Sequence, residues 1–398
     1  MARTERRDGY DFDLTGHWLH FADPAMRGWV QDLMPGVLAK VERRAEIHSH
    51  GVRTPYPFQA HTYGLPAEVV ADCVLGFFRA RETGATHPTQ AESFADYICQ
   101  KLGDGFARHF MVPYNTKLFT VPPEAMAHAW CGRFVPVPTP EDVVWGALLP
   151  GGARRPLGYN ASFFYPRQGG IARLPEALRA SLTCELRLGT GVRRVDWKHA
   201  KVELDDGQRL GYRYLVSTMP LPDLVAALVD PPEGVVTAGR RLKAASVTYW
   251  DVGLKGENRA GEAHWVYFPE SSPPFYRAGS ASSVMAAVAP PGCRSYYIEV
   301  SHPRGSDPPV RDEAMLAGMR EVGLLAAGEE PTLVARTTLS CAYVIMDHDY
   351  GESRELILEW LDRQRILSVG RYGAWTYDSM EGAMLQGRAA ALAVMERA

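Results

Sequence analysis

The chain has 398 residues, 46% hydrophobic and 22% charged, which is an ordinary globular balance and excludes a disordered, collagen-like or coiled-coil protein. The formal net charge is −3, from 43 Lys and Arg against 46 Asp and Glu, so no basic excess points to nucleic acid. No apolar run approaches the roughly 20 residues of a membrane-spanning helix, and we expect no secretory signal at the N-terminus.

The six cysteines are scattered, with no C-x-x-C pair among them. In a chain of this size, such spacing favours reduced thiols in a cytoplasmic protein. The His- and Asp-containing clusters at 48–50 and 347–349 are more typical of solvated turns than of ligand sets, so we expect no metal site.

The first 110 residues are predicted to begin with short strands and to continue mainly as helices. Strand fragments flank Asp8-Gly9 within residues 1–20, and residues 21–110 favour helix. One helix starts near Pro66, where a proline and an acid occupy the first turn and apolar residues follow at helical spacing. A second helix is predicted over 93–102.

The segment 165–235 is richer in predicted strands. Leu174, Leu178 and Leu182 recur at intervals of four, so a helix is predicted just after Gly169-Gly170. Asp206-Gly207 is a strong hairpin signal. The predicted strands are 186–188, 192–195, 201–204 and 212–218.

The last third is predicted to contain antiparallel strands, two amphipathic helices and a final strand–loop–helix. The strands are 246–250, 265–268 and 296–300, and the helices are 311–326 and 352–365. A short apolar strand at 366–369 then leads through Gly370-Arg371 into a helix from Met380. This last arrangement is typical of a ligand site at the carboxyl edge of an α/β sheet.

No motif in the chain identifies a cofactor or a catalytic nucleophile directly. G-x-G-x-x-G, G-x-x-x-x-G-K-[ST] and G-x-S-x-G are all absent from the sequence. Composition and spacing alone therefore predict an α/β protein with an aromatic-rich interior and no assigned function.

Several segments nevertheless match, in order, the sequence elements of one group of enzymes. The most specific is 370–380, which resembles G-R-x-G-x-Y-x-Y-x-D-M. The other matching segments are 1–5, 15–20, 56–59, 113–117, 217–220, 265–269, 274–277 and 342–343. Together they resemble the flavin-dependent amine oxidase and protoporphyrinogen oxidase-like superfamily, within it the branch that includes UDP-galactopyranose mutase.

The resemblance implies an α/β fold with a discontinuous, Rossmann-like FAD-binding domain and a substrate domain of helices plus an antiparallel sheet. It places FAD binding in 1–20, 165–235 and 363–398, and substrate binding in 21–164 and 236–362. It also implies that the N-terminal G-x-G-x-x-G unit of the family is missing, since Met1 aligns just after it. We expect a misassigned start codon or a fragment, with a true truncation as the alternative.

The resemblance also implies the roles of particular residues, with FAD as the cofactor and a small molecule as the substrate. The catalytic or substrate-contacting residues are expected to be Arg277, Tyr114, Tyr343 and Tyr377. The cofactor-binding residues are expected to be Gly16, His17, Val192, Gly370, Arg371 and Met380. Lys117 is expected to pack rather than to act as a base.

Three functions are left open by these observations. The first is an FAD-dependent oxidoreductase that transfers hydride from an organic substrate to flavin. The second is a redox-neutral nucleotide-sugar mutase, which is disfavoured because Ser379 replaces an acid of the mutase motif and 160–162 lacks a pocket arginine. The third is a flavin-free remnant that binds a ligand or a partner protein.

Overall fold

The computed structural model describes residues 2–86, 91–151, 161–258 and 261–397, which form two compact units. Unit 1 comprises Met1–Trp18, Met34–Glu176 and Ala245–Ala342. Unit 2 comprises Leu19–Leu33, Ala177–Ala244 and Tyr343–Ala398. The boundaries of these two units differ from the boundaries of the predicted domains. Which residues bind flavin and which bind substrate remains a prediction.

Short strands and helices alternate along the chain. The strands are β1 (Thr4–Arg7), β2 (Tyr10–Asp13), β3 (Leu38–Glu42), β4 (Ala45–Ser49), β5 (Val52–Pro55), β6 (Ser162–Pro166), β7 (Val192–Asp196), β8 (Lys201–Leu204), β9 (Arg209–Gly211), β10 (Leu215–Ser217), β11 (Lys243–Lys255), β12 (Trp265–Tyr267), β13 (Arg277–Gly279), β14 (Cys293–Pro303), β15 (Leu333–Ile345) and β16 (Ile366–Ser368). The α-helices are α1 (Pro24–Leu33), α2 (Ala67–Thr86), α3 (Phe94–Leu102), α4 (Asp104–Phe106), α5 (Val112–Phe119), α6 (Cys131–Phe134), α7 (Pro140–Leu148), α8 (Arg173–Ala180), α9 (Leu221–Ala227), α10 (Glu233–Arg241), α11 (Ala281–Val284), α12 (Asp312–Glu321), α13 (Tyr350–Arg363), α14 (Gly370–Gly373) and α15 (Met380–Arg397).

Unit 1 is built on a mixed sheet in the order β15-β11-β14-β13-β12-β4-β5. Among the neighbouring strands of this sheet whose residue pairing is described, β12 and β4 are parallel and the other pairs are antiparallel. One face packs apolar side chains such as Trp250 and Ile298 against Met315 and Met319 of α12. Alternate residues point to opposite faces of a strand. The other face therefore carries Tyr249, Asp251, Tyr297 and Glu299, and all four are buried.

The strand fragments predicted around Asp8-Gly9 are present and form an N-terminal hairpin. The strands β1 and β2 pair in antiparallel register, and both turn residues adopt positive φ, 48° for Asp8 and 82° for Gly9. Two successive positive φ values are the requirement of the type I′ hairpin turn, which Gly meets without steric cost. The predicted helices at 93–102 and from Met380 are present, with Ser93 capping α3.

The prediction that residues 21–110 are mainly helical is wrong between 38 and 55. Three short strands lie there, and β4 and β5 extend the large sheet at its edge. The expected separation of helices in 21–164 from a sheet in 236–362 is therefore also wrong. The residues of β4 alternate between buried and partly exposed, as expected of a strand. An alternation over only five residues is a weak sequence signal, and the polar residues on either side obscure it.

Unit 2 contains a parallel pair, β10 with β16, and a three-stranded antiparallel sheet, β7-β8-β9. The strand predicted at 186–188 is absent; that segment is irregular, and Leu188 is 67% exposed. The strand predicted at 212–218 is shorter, because only 215–217 pair with β16.

The architecture is α/β, as expected, but the large sheet is mixed rather than antiparallel because β12 and β4 pair in parallel. The discontinuous Rossmann-like domain remains a prediction. None of the helices within the described ranges is both long and apolar enough to cross a membrane.

Candidate functional site

A guanidinium surrounded by tyrosine rings lies at the C-terminal strand–loop–helix of unit 2. The Cζ atom of Arg371 lies 4.7 Å from the ring centroid of Tyr377, 5.5 Å from that of Tyr343 and 5.8 Å from that of Tyr372. The rings of Tyr343 and Tyr377 are nearly parallel, with centroids 6.1 Å apart. We call Arg371, Tyr343, Tyr372 and Tyr377 the arginine–tyrosine cluster. Cation–π contacts of this kind favour the charged guanidinium.

The electrostatics of the cluster keep Arg371 charged. Burial opposes the charged form, yet the pKa of the guanidinium is raised above its ordinary value by Tyr372, Tyr377 and Tyr343. Its Nη1 also donates to the backbone carbonyl of Asp378 over 2.9 Å, which fixes the side chain against the following turn. The cluster is therefore a fixed positive charge faced by phenol groups.

The backbone of this loop is shaped by glycine. Gly370 adopts φ 79°, a left-handed conformation that favours glycine, and its N–H donates to Gln386 Oε1 over 2.8 Å. A Cβ on Gly373 would lie 2.8 Å from the carbonyl oxygen of Ser217, so the loop after β16 approaches the end of β10 as only glycine allows. The carboxyl ends of the parallel strands β10 and β16 therefore lie next to each other where this loop begins.

The long helix α15 begins directly after the cluster. Its first residue is Met380, and the hydroxyl of Ser379 accepts the N–H of Gly382 over 3.1 Å as a cap. Gln386 donates to Asp378 Oδ2 over 2.7 Å, which ties the second turn of the helix to the loop. A helix N-terminus beside a fixed cation is suited to negative charge.

In unit 1, Arg277 is paired with a buried carboxylate. Its Nη2 donates to Glu299 Oε1 over 2.8 Å, and its Nε donates to the other carboxylate oxygen. The two residues are register partners on β13 and β14, and Glu299 is only 1% exposed. The guanidinium is thereby oriented, and its charge is balanced within the sheet.

Tyr114 lies in the helix α5, next to the aromatic residues that flank Arg277. Its ring stacks on Phe110 at 5.2 Å, meets Tyr267 edge-on at 5.3 Å and lies 6.3 Å from Tyr276. The Cζ of Arg277 lies 5.8 Å from the Tyr276 centroid. The structure therefore brings Tyr114 and Arg277 together through one shared aromatic neighbour.

Gly16 and His17 follow β2 in the same unit. A Cβ on Gly16 would lie 2.4 Å from the hydroxyl oxygen of Tyr297 and 3.1 Å from Nε1 of Trp18, so only glycine fits there. His17 Nδ1 lies 3.5 Å from the backbone carbonyl oxygen of Thr15. The chain is closely packed on one side of this segment.

The ten residues assigned by resemblance thus form separate groups. In unit 2, Tyr343, Gly370, Arg371, Tyr377 and Met380 come together. In unit 1, Tyr114 lies near Arg277, whereas Gly16 and His17 lie beside Tyr297. Val192 pairs with Leu204 in the β7-β8-β9 sheet. Asn160 lies outside the described residues.

One side chain that matters to these groups was not identified from the sequence, and the contacts of a second were not predicted. Glu299, the partner of Arg277, was not singled out. Lys117 was expected to pack, and its ammonium donates to four backbone carbonyls, those of Phe268, Glu270, Pro273 and Phe275, at 3.1, 2.6, 2.8 and 2.8 Å. The segment 268–275, which we call the proline loop, leads directly into Tyr276 and Arg277. The three prolines of this loop were an available signal in the sequence. Proline has no N–H group to donate to a neighbouring strand.

The comparisons with known proteins agree on one family. The family described as flavin containing amine oxidoreductase matches residues 2–395. A crystal structure of reduced UDP-galactopyranose mutase is similar over 100% of this chain and 88% of its own, with 25% identity and a TM-score of 0.92.

Two further structures show the fold alone, at 16% identity each. A protein assigned as a protoporphyrinogen oxidase from Exiguobacterium sp. 255-15 covers 100% of this chain and 90% of its own, with a TM-score of 0.71. A putrescine oxidase bound to putrescine covers 99% and 90%, with a TM-score of 0.65.

Proposed function

Because the chain belongs to the family of flavin-containing amine oxidoreductases, we propose that it is an FAD-dependent oxidoreductase that transfers hydride from an organic substrate to the flavin. Flavin is the cofactor indicated by the family and by the flavoenzymes that share the fold. The observation that supports the proposal most strongly is the family match over residues 2–395. When bound, flavin supplies the acceptor for the hydride, and the electrons then pass to oxygen or another oxidant.

The residues of unit 2 fit a planar cofactor that carries negative charge. Arg371 would balance negative charge on the flavin, and the backbone N–H groups at Met380 would face it from the start of α15. Gly370 would allow the backbone to approach closely. Val192 would contribute its backbone to the adenine end, as the resemblance implies.

The residues of unit 1 would serve cofactor and substrate in different ways. Gly16 and His17 would lie against the flavin. Arg277 would orient the substrate as a hydrogen-bond donor, because Glu299 already balances its charge. Tyr114 would contribute aromatic surface and a hydroxyl group, and the same kind of role is proposed separately for Tyr343 and Tyr377 of unit 2. None of these roles requires a strong general base, which suits hydride removal from an activated C–H or C–N bond.

A second candidate is a redox-neutral mutase that acts on a nucleotide sugar. It is favoured by the 25% identity with UDP-galactopyranose mutase over the whole chain. The position of Ser379 counts against it, because this hydroxyl caps α15 where the mutase motif has an acid. Release of an isomerised sugar nucleotide without net oxidation would distinguish this activity from that of an oxidoreductase.

The test begins with the visible absorption spectrum of the purified chain, before and after incubation with FAD. Bound flavin with bands near 370 and 450 nm supports the proposal, and anaerobic bleaching by candidate substrates then separates the oxidoreductase from the mutase. A chain that stays colourless with excess FAD contradicts the proposal and favours the flavin-free binding protein. A cytoplasmic location belongs to the same proposal and is supported by the six free thiols.

A further inference from the structure

A strained residue precedes the segment proposed to contact flavin. Thr15 adopts φ 70°, the left-handed region in which a β-branched residue is a genuine outlier. Such a conformation is strained for a β-branched residue and persists only where the surroundings impose it. Gly16 and His17 follow immediately, so the strain at Thr15 sets the direction in which they leave β2.

A network of hydrogen bonds centres on Asp13, two residues before Thr15. Asp13 is 6% exposed, and its carboxylate accepts three hydrogen bonds. Oδ1 accepts from Thr4 Oγ1 over 2.6 Å and from the N–H of Ile171 over 2.9 Å, and Oδ2 accepts from Tyr165 Oη over 2.7 Å. One side chain therefore joins β1, β6 and the turn before α8 to the end of β2.

The residues that precede and follow Thr15 are closely packed at two glycine positions. A Cβ on Gly170 would lie 2.4 Å from Thr4 Oγ1 and 2.6 Å from Asp13 Oδ1. Beyond Thr15, Gly16 is in similar close contact with Tyr297. The strained residue thus sits between the Asp13 carboxylate and a glycine packed against a tyrosine hydroxyl.

We propose that Asp13 is a positioning residue whose carboxylate holds Thr15 in its left-handed conformation, so that Gly16 and His17 are placed for flavin contact. The flavin part of this inference rests on the proposed function. All three groups bound to Asp13 are donors, so the ionised carboxylate is the form that suits them. Protonation would place a hydroxyl among donors and release at least one of them.

The charge state of Asp13 can change near neutral pH. Burial raises its pKa to about 6, although Thr4, Tyr165 and Ile171 act in the opposite direction and Asp11 adds to the rise. Asp251 of β11 also interacts with Asp13, whose charge raises the pKa of Asp251; the other groups named lie on β1, β2, β6 and the turn before α8. FAD should therefore bind more weakly at pH 5 than at pH 7, in a manner that depends on Asp13.

The test compares FAD affinity, measured by fluorescence titration at pH 5 and pH 7, for the whole chain and four variants. Asp13→Asn is expected to weaken FAD binding at least tenfold at pH 7 and to remove most of the pH dependence. Thr15→Asn introduced into that variant should restore most of the affinity, because asparagine tolerates the left-handed region. Tyr165→Phe, which removes one donor, should give an intermediate loss even if Asp13→Asn does not fold. Asp8→Asn, in the exposed hairpin turn, is the control.

Two outcomes overturn the inference: wild-type affinity and pH dependence in Asp13→Asn, or a loss in that variant that Thr15→Asn leaves unchanged. Hydrogen exchange of residues 13–18 in the flavin-free chain separates this failure from that of the proposed function. Faster exchange in Asp13→Asn, reversed by Thr15→Asn, establishes the positioning role even if FAD does not bind, and the proposed function then fails alone. Unchanged exchange removes the positioning role whether or not FAD binds.

Discussion

Arg277 and Glu299 form a two-point ion pair across neighbouring strands of the unit 1 sheet, with the carboxylate almost completely buried. Glu299→Gln keeps an acceptor but leaves the guanidinium without its balancing charge. Removal of one partner from a buried pair costs about 3–5 kcal/mol, and the partial exposure of Arg277 reduces this to about 2–3 kcal/mol. Urea denaturation should show this loss in the free energy of unfolding.

The matched control for that experiment is Glu185→Gln. Glu185 pairs with Arg187 on the surface of unit 2, where both side chains are exposed. Exposed pairs contribute about 0–1 kcal/mol, so this variant should unfold nearly as the wild type does. Equal losses in the two variants would contradict the view that Glu299 is a buried counter-ion.

Lys117 provides a second prediction, through the proline loop. Its ammonium has three donors and serves four carbonyls, and burial lowers its pKa to about 7. Lys117→Met would leave these buried carbonyls without a donor, at a cost of about 1–3 kcal/mol for each group that stays unsatisfied. Hydrogen exchange in 268–277 should accelerate at least tenfold. Lys101→Met, on the exposed face of α3, is the control, and slow exchange in Lys117→Met would contradict the prediction.

The sequence predicts the elements that depend on neighbouring residues. The strand fragments predicted around Asp8-Gly9 and the helix predicted from Met380 are both present, and the hairpin signal at Asp206-Gly207 lies between the paired strands β8 and β9. The strand predicted at 186–188 does not form, because no strand among the described residues pairs with this segment. Local pattern cannot indicate whether an adjacent strand exists.

The side chains around the candidate site were harder to predict, because their roles depend on distant parts of the chain. The carbonyls bound by Lys117 lie more than 150 residues further along the sequence. Glu299 acts only because β14 places it opposite Arg277. The arginine–tyrosine cluster was predicted in part, since Arg371 and Tyr377 lie within one motif, but the motif does not reveal that the tyrosine rings surround the guanidinium.

Asp251 gives a prediction for the pH dependence of stability. Burial raises its pKa to about 8 from an ordinary value of 3.8, with Arg7 opposing the shift. Between about pH 4 and pH 8 the folded chain therefore binds a proton that the unfolded chain has lost. The contribution of Asp251 to the free energy of unfolding falls as the pH rises through this window.

Asp251→Asn is neutral at every pH and removes that contribution. The variant should be more stable than the wild type by about 2–4 kcal/mol at pH 8 and should differ little near pH 4. Urea denaturation at the two pH values measures the difference. Asp32→Asn, at an exposed position of α1, is the control. A variant whose stability relative to the wild type does not change with pH would show that the folded chain ionises Asp251 freely.

Arg371 tests the cluster itself. Arg371→Lys keeps the charge but removes the planar guanidinium that stacks on Tyr377 and Tyr343 and donates to the Asp378 carbonyl, so it is not a conservative change. These stacking and hydrogen-bonding interactions together contribute about 1–2 kcal/mol, and urea denaturation of the flavin-free chain should detect their removal. FAD affinity should fall about tenfold, and Arg371→Met should bind still more weakly because the positive charge is also removed. Arg388→Lys, exposed on α15, should match the wild type in both measurements. If Arg371→Lys binds FAD as the wild type does and Arg371→Met does not, charge alone is sufficient at this position and the stacking geometry has no role in cofactor binding.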